Sequence, residues 1–384
     1  MSAGVDTRAV ARALAPVLRE RADEIEEARR LPNDLSKRFA QSGFYRMCAP
    51  EKYGGLEQAP AITMETIELI AQADGASAWV TFIGATSGTT LALLPEETAR
   101  IVFPTPETMI AGVFAPRGKA VAVNEGYQVN GEWQWGSGTQ NADWVLGGCQ
   151  VIRDGETEKL SNGTPRSRMM LVPASEVEFL DTWYVSGLCG SGSTDFAIRD
   201  RFVPNERAVG LGVDGPLDRP LYLFPQFGLL AMGIAAVSLG LARAAINELV
   251  EIAGGKTPSG SARPLAARPA SQTEVARAEA TLRSARAFYF ETIERAWEEA
   301  CDGNLSTDAR RDIRLATTHA THASAEAVDR MYHLGGGTSV YRRSPLQRIF
   351  RDVHVATQHM MVGPATYELT GRLLMGIDTD VSVL

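Results

Sequence analysis

Apolar positions divide the chain into three textures. Over the first hundred residues they recur every three to four positions. The stretch "TRAVARALAPVLRERADEIEEARR" has helical period and an outer face of mixed acids and bases. Pro32, Asn33 and Asp34 restart the chain into "LSKRFAQSG", a short helix stopped by Gly43. "APEKYGGLE" reads as a turn, with Gly54 and Gly55 supplying backbone freedom. Ala61 to Leu94 predicts two mostly buried helices broken near Gly75. From about residue 106 the period changes to alternation. "MIAGVFA", "AVAVNEGYQVNGEWQWGSG", "WVLGGCQVI", "RMMLVPASEVEFL" and "TDFAIRDRFVP" predict strands, with "NEGY" and "VNGE" as hairpin turns. After Pro216 and Pro220 the helical period returns and lasts to about Met375. It is broken at Gly254–Gln272, rich in Gly, Pro and Ser, and at His333–Gln347. The reading is an α+β chain in three units: residues 1–105 helical, 106–215 β, and 216–384 helical.

A length of 384 residues supports this division, since one ordinary core does not grow that large. With 45% hydrophobic and 22% charged residues the composition is that of a globular protein. The net charge of −8, without a block of like charges, argues against nucleic acid or an anionic membrane as partner. Phe227 to Ala242 carries no charge, but it is largely Ala and Gly and ends at Arg243. A spanning helix needs about 20 strongly apolar residues. The stretch therefore predicts a bundle helix buried on all sides, with Gly228, Gly233 and Gly240 letting neighbours approach. Cys48, Cys149, Cys189 and Cys301 form no CxxC pair, so neither a zinc site nor a disulfide framework is expected, and a reducing cytoplasm fits. The N-terminal stretch has no apolar signal core.

Two of the five histidines fall in "RIFRDVHVATQHM", Arg348 to Met360. His354 and His359 are five apart, so on one helix they would diverge by about 140° and could not share a metal. His319 and His322 have workable spacing but no third ligand tied to them. No metal site is expected. Arg351 and Asp352 read as anchors of the helix, and His354 as a polar contact beside them. Gly187 to Asp195, "GLCGSGSTD", lacks GK[ST] and runs into a strand, so it is no nucleotide-hydrolase phosphate loop.

Four strings stand in an order that resembles the acyl-CoA dehydrogenase superfamily along nearly the whole chain: "APEKYGGLE", "YQVNGEWQWGSGTQNADWVLGG", "VSGLCGSGSTDFAIRDRFVP" and "HLGGGTSVYRRSPLQRIFRD". Two departures make the chain more similar to the flavin-dependent monooxygenase branch. The commonest dehydrogenases carry a catalytic glutamate a little over two turns after the Arg-Asp pair. Here no acid follows Arg351-Asp352 until Glu368, and His359 stands near that place. Dehydrogenases also hold FAD diphosphate across a subunit interface with an Arg, a Phe-Gly and a Gln in tight frame. "SARPLAARPASQ" keeps Arg263 and Gln272 without the Phe-Gly. The resemblance implies an N-terminal helical domain, a central β-barrel or sandwich domain and a C-terminal four-helix bundle. It implies a homotetramer that takes reduced flavin, FMN or FAD, from a separate flavin reductase. With O2 as co-substrate, it would hydroxylate a small aromatic or heteroaromatic ring through a C4a-hydroperoxyflavin.

The resemblance also assigns residues. His359 would face the flavin cavity and act as acid or base, since histidine titrates near working pH. Ser137, with Gly138, would set a hydroxyl against the isoalloxazine edge, and Trp135 would stack near it. Phe114 would line the flavin pyrimidine, and Ser191 and Ser193 would border flavin and substrate. Gly336 and Gly337 would let backbone amides reach a flavin phosphate or adenine of a neighbouring subunit. Trp79 and Thr89 would line the substrate pocket, where Ser87, Thr89 and Thr90 replace a histidine that several relatives carry. Cys189 stands where monooxygenases often have arginine. Each assignment has a plainer counterpart: a hydrogen-bonded core histidine, a strand-end turn serine, packed tryptophans, a loop needing positive φ. Two rival functions remain, an acyl-CoA dehydrogenase with its base elsewhere and a non-catalytic helical scaffold.

Overall fold

The computed structural model describes residues 5–210 and 217–384. The expected boundary at residue 215, with Pro216, lies outside the described residues.

The N-terminal part holds α1 (Thr7–Glu20), α2 (Ala22–Ala28), α3 (Asn33–Gln41), α4 (Pro60–Ala71), α5 (Gly75–Ser87) and α6 (Glu96–Val102). The opening helical stretch is two helices: the Asp6 carboxylate caps α1, and the backbone turns between α1 and α2 at Arg21. The break near Gly75 is built by Asp74, whose side chain accepts the Ser77 amide at 2.7 Å and restarts the helix as α5.

The middle part holds β1 (Ile110–Val123), β2 (Gly126–Trp133), β3 (Trp144–Arg153), β4 (Glu156–Thr157), β5 (Ser167–Pro173), β6 (Glu178–Leu180), β7 (Asp195–Pro204) and β8 (Ala208–Val209). They form one mixed sheet in the order β6-β7-β2-β1-β3-β5-β8, with β4 on β3; the β1–β3 pair is parallel. "NEGY" is the β1–β2 hairpin, with Val123 paired to Gly126. "VNGE" is not a turn. It lies inside β2, where a register shift against β7 between Val129 and Gly131 absorbs the irregularity. Gly131 is required there by close packing: a Cβ would stand 2.6 Å from the Gly118 Cα. "MIAGVFA" and "AVAV" are one strand rather than two, and "RMMLVPASEVEFL" splits into β5 and β6, which sit near opposite edges of the sheet.

The C-terminal part holds α7 (Gln226–Gly255), α8 (Pro269–Cys301), α9 (Thr307–Gly335), α10 (Pro345–Thr357) and α11 (Ala365–Leu374). Helix α7 is long and apolar enough to cross a membrane, but 89% of its most apolar window is buried inside the fold. Two of its glycines explain the close packing. A Cβ on Gly233 would meet the Phe82 ring at 2.5 Å, and one on Gly240 would meet the Glu68 carbonyl oxygen at 2.4 Å. A Cβ on Gly228 has more room, its nearest neighbour being Pro225 at 3.2 Å.

One apolar core runs through both helical parts, from Leu14 and Ile67 to Leu239 and Val353, and takes in Met109 and Leu188 from the middle part. The sheet curls around a second core centred on Trp133 and Phe196, whose rings stack with centroids 5.2 Å apart. A third cluster, with Leu91, Leu146 and Leu171, joins sheet to helices. The loops at the junction of the three parts are therefore held from three sides.

Candidate active site

Helix α10 starts with Pro345 at its first turn and ends at Thr357. His359 thus lies beyond the helix, in extended backbone, and caps the short 3₁₀ turn Met360–Val362. Its Nδ1 accepts the Met361 amide at 3.2 Å. A neutral ring so engaged carries its hydrogen on Nε2 and is a donor there. Burial, and secondarily the nearby Arg314 cation, lower the His359 pKa to about 4. The ring is therefore neutral near pH 7. The expectation of a group titrating at working pH is changed by this desolvation.

The rest of α10 answers for the other charged residues of the segment. His354 bonds Asp329 of α9 through Nε2 at 2.8 Å and packs on the Phe350 ring, so its polar contact is across helices rather than beside Arg351 and Asp352. Asp352 is 4% exposed, and its Oδ1 accepts the Leu188 amide at 2.6 Å. Burial pushes its pKa up to about 7. Arg351 donates to the Ser186 carbonyl at 2.6 Å and pairs with Glu26 of α2 at 2.7 Å. The two residues do anchor, but what they hold is the Ser186–Leu188 loop. Gly187 makes that clamp possible, because a Cβ there would stand 2.5 Å from the Arg351 carbonyl carbon and oxygen. Gly187→Ala is expected to lower stability by about 1–3 kcal/mol through overpacking, read in chemical denaturation. An unchanged midpoint would show that the clamp yields.

The clamped loop carries Ser191 and Ser193 into a buried chain of hydroxyls. The Trp79 indole N–H, from α5, donates to Ser137 Oγ at 3.0 Å. Ser137 Oγ lies 2.6 Å from Ser193 Oγ, which lies 2.7 Å from Ser191 Oγ, and either member of each pair can donate. The three serines are 8%, 3% and 1% exposed. The Gly138 amide closes the arrangement by donating to the Ser191 carbonyl at 3.0 Å, with Gly138 in the left-handed region at φ 69°. The Trp79 ring also faces His359, centroids 6.0 Å apart. Trp79, Ser137, Gly138, Ser191, Ser193 and His359 are thus brought together.

Trp135 is thrown outward from this cluster rather than packed. Its backbone is left-handed at φ 64°, its amide donates to Asp195 Oδ1 at 3.2 Å, and its ring is 67% exposed. Phe114 packs edge-on against Phe227 at the start of α7, centroids 6.4 Å apart. Thr89 lies 2.8 Å from Gln226 Oε1 at the same helix start. Arg263, Gly336 and Gly337 lie elsewhere. Arg263 is in the exposed loop between α7 and α8, and the glycines follow the end of α9. Lys256 bridges the loop after α7 to Gly335 and Thr338. About 42 Å of helix separates that end of α9 from its start.

The site includes one residue that sequence reasoning missed. Arg314, on α9, is 3% exposed. Its Nη1 donates to Met361 Sδ at 3.3 Å, and its Nε has no partner. Burial lowers its pKa to about 10, so it remains a cation. The signal was its place on the inner stripe of α9 with Thr317, Thr318 and Thr321. His322 bonds the Val362 carbonyl at 3.0 Å, so it supports the His359 turn, and the described residues contain no cluster of metal-ligating groups. A polar cleft of about 440 Å³ is lined by residues including Asn33, Lys37, Tyr45, Glu107 and Asp143, and none of these site residues is in its lining.

Known proteins resemble the chain over nearly its whole length. Residues 7–98 match the family "Acyl-CoA dehydrogenase, N-terminal domain", and residues 232–364 match "Acyl-CoA dehydrogenase, C-terminal domain". The chain is 38% identical to indole-3-acetate monooxygenase of Pseudomonas putida, over 93% of this chain and 90% of that one. It is 31% identical to the flavin-dependent monooxygenase oxygenase subunit HsaA of Mycobacterium tuberculosis, over 95% and 94%. Among solved structures, the HsaA monooxygenase from M. tuberculosis superposes with a TM-score of 0.90 at 29% identity, covering 99% of each chain. XiaF from Streptomyces sp., solved with FADH2 and glycerol, superposes with a TM-score of 0.88 at 25% identity, covering 97% of this chain and 96% of that one.

Proposed function

The chain belongs to the acyl-CoA dehydrogenase family, among its flavin-dependent monooxygenases, and from that premise we propose that it hydroxylates a small aromatic or heteroaromatic ring. The enzyme is the oxygenase component. It takes reduced flavin, FMN or FAD, from a separate reductase and uses O2 as co-substrate.

One observation carries the reading: Trp79 joins a neutral imidazole to a chain of buried hydroxyls, at the place where the resemblance puts a dehydrogenase carboxylate. The charge acting on His359 is the Arg314 cation, and Glu368, the next acid in sequence after Asp352, is exposed on α11. The commonest dehydrogenases remove the proton next to a thioester with a carboxylate, and no carboxylate acts on His359 among the described residues.

The donor set fits a flavin edge. Bound flavin supplies the oxygen-activating chemistry. The protein supplies hydrogen bonds and shields the site from water. Ser137 already accepts from Trp79. If Ser193 also donates to it, the Ser137 hydrogen is free for an acceptor. If Ser137 donates to Ser193, a Ser137 lone pair is free for an N–H. The chain can therefore meet either form of a ligand nitrogen. His359 adds a donor at Nε2, and exposed Trp135 offers a flat apolar face. We assign His359 and Ser137 to the reacting centre, with Gly138, Ser191 and Ser193 behind the flavin edge, Phe114 along it, and Trp79 and Thr89 on the substrate side.

A homotetramer in the cytoplasm completes the proposal. Arg263, Gly336 and Gly337 lie outside the Ser137–His359 cluster, and they would serve a flavin held by another copy.

The test is oxygen uptake with flavin reduced by a reductase, over a panel of phenols, indoles and amines. The chain should purify largely colourless and convert at least one ring to an oxygenated product. Tightly held FAD that bleaches with an acyl-CoA under anaerobic conditions would support the dehydrogenase instead. Failure to bind reduced flavin would leave a scaffold.

A further inference from the structure

We propose that Arg314 receives the carboxylate of an acidic aromatic substrate, holding the ring of an arylacetate-type acid against His359 and Trp79. The inference rests on the function proposed above and narrows its substrate class.

Several of the other partly buried arginines are paired with acids, while Arg46 donates to the Gly54 carbonyl and Arg207 lies over the Trp144 ring. Arg286 meets Glu68, Arg243 meets Glu279, and Arg348 and Arg351 meet Glu26. Arg314 is more deeply buried than any of these and has no carboxylate. Among the described residues no other lysine or arginine is fully buried. An uncompensated buried charge costs several kcal/mol. Its one hydrogen bond goes to the Met361 sulfur, a weak acceptor that neutralises nothing. A guanidinium has five N–H donors in a planar fork, a shape made for a two-oxygen anion. A position this unfavourable is explained if a bound anion supplies the missing charge.

Position decides which anion. Met361 is in the same turn as His359, and the Arg314 charge acts on the His359 ring. In order, the groups run Ser137, Trp79, His359, Arg314. Among the described residues no hydrogen bond joins the cation to the hydroxyl chain where the flavin edge is assigned; the contact it makes is with Met361 of the His359 turn. Reduced flavin also carries negative charge, but this order gives that charge to the other end of the line. A carboxylate one methylene away from an aromatic ring would meet Arg314 with its ring against His359 and Trp79.

The experiment uses the full chain with its reductase system and reduced FMN. Two ring pairs are compared, indole-3-acetate with 3-methylindole and 4-hydroxyphenylacetate with 4-methylphenol. Arg314→Gln should raise the KM for the acids by about 100-fold, the scale of losing a charged partner. The KM for the neutral rings should stay within about threefold, with an unchanged Kd for reduced FMN. Arg314→Lys, which keeps the charge but not the fork, should fall between. Equal losses for acid and neutral ring, no loss for either, or a weakened flavin Kd with unchanged acid discrimination would overturn the assignment. If the unaltered chain oxidises neither ring with reduced flavin, the functional reading fails. Calorimetric binding of the acids then tests Arg314 by itself, loss in Arg314→Gln supporting it and equal binding refuting it.

Discussion

Replacing His359 by alanine should leave reduced flavin bound but sever oxygen consumption from product formation. Product per O2 is expected to fall at least about tenfold, with the balance appearing as hydrogen peroxide, since one such hydrogen bond is worth about 1–3 kcal/mol. The Met361 amide fixes the ring and leaves Nε2–H as the free donor. His359→Asn retains a side-chain N–H and should recover part of the coupling. Because burial and Arg314 hold the pKa near 4, the ring stays neutral across pH 6–8, and no inflection in coupling should arise from it there. A histidine whose folded pKa is lowered contributes fully above its unfolded value of about 6.5. That contribution is lost as pH falls from there through about 4. His359→Ala should therefore also flatten the acid side of the stability profile. Unaltered product per O2 in the alanine variant would remove His359 from the reacting centre.

Ser137→Ala is expected to raise peroxide release about tenfold and to destabilise the fold by about 1–3 kcal/mol. The two effects have separable causes. The stability loss comes from the buried Trp79 indole N–H, which loses its acceptor, and from Ser193, which loses a neighbour 2.6 Å away. The leakage comes from losing the only member of the chain bonded to both Trp79 and the loop serines, the one assigned to the flavin edge. Ser193→Ala separates them. It keeps the Trp79–Ser137 bond and shortens the chain behind it, so its peroxide release should rise less. Equal leakage from both variants would mean that the whole chain acts only through packing. Product per O2 and denaturation midpoints, measured on both, give the comparison.

How much of this was legible beforehand depended on distance along the chain. The β1–β2 hairpin could be read from "NEGY", because a two-residue turn is set by the residues in it. "VNGE" has the same local look and is a bulged strand, because Gly131 is there for the approach of β1, whose position no local window contains. The long α7 was readable as buried from its composition and its glycines as points of close approach, while the neighbours they admit, Phe82 at Gly233 and Glu68 at Gly240, became visible only in the tertiary structure. At the site, Ser137 and His359 could be singled out through resemblance. The neutrality of His359 could not, since it follows from burial and from a cation 45 positions earlier in the chain.

By itself the sequence determined the succession of helical, β and helical segments, since hydrophobic periods of 3.6 and 2 are local properties of a segment. Only the tertiary structure decided that Trp79 meets Ser137 across 58 positions and that Ser137 meets Ser193 across 56. It also decided that Arg314 is sealed beside the His359 turn without an acid. Hydrogen bonds and charges of that kind take their strength from burial, and burial is set by which distant segments pack together, not by the residues on either side.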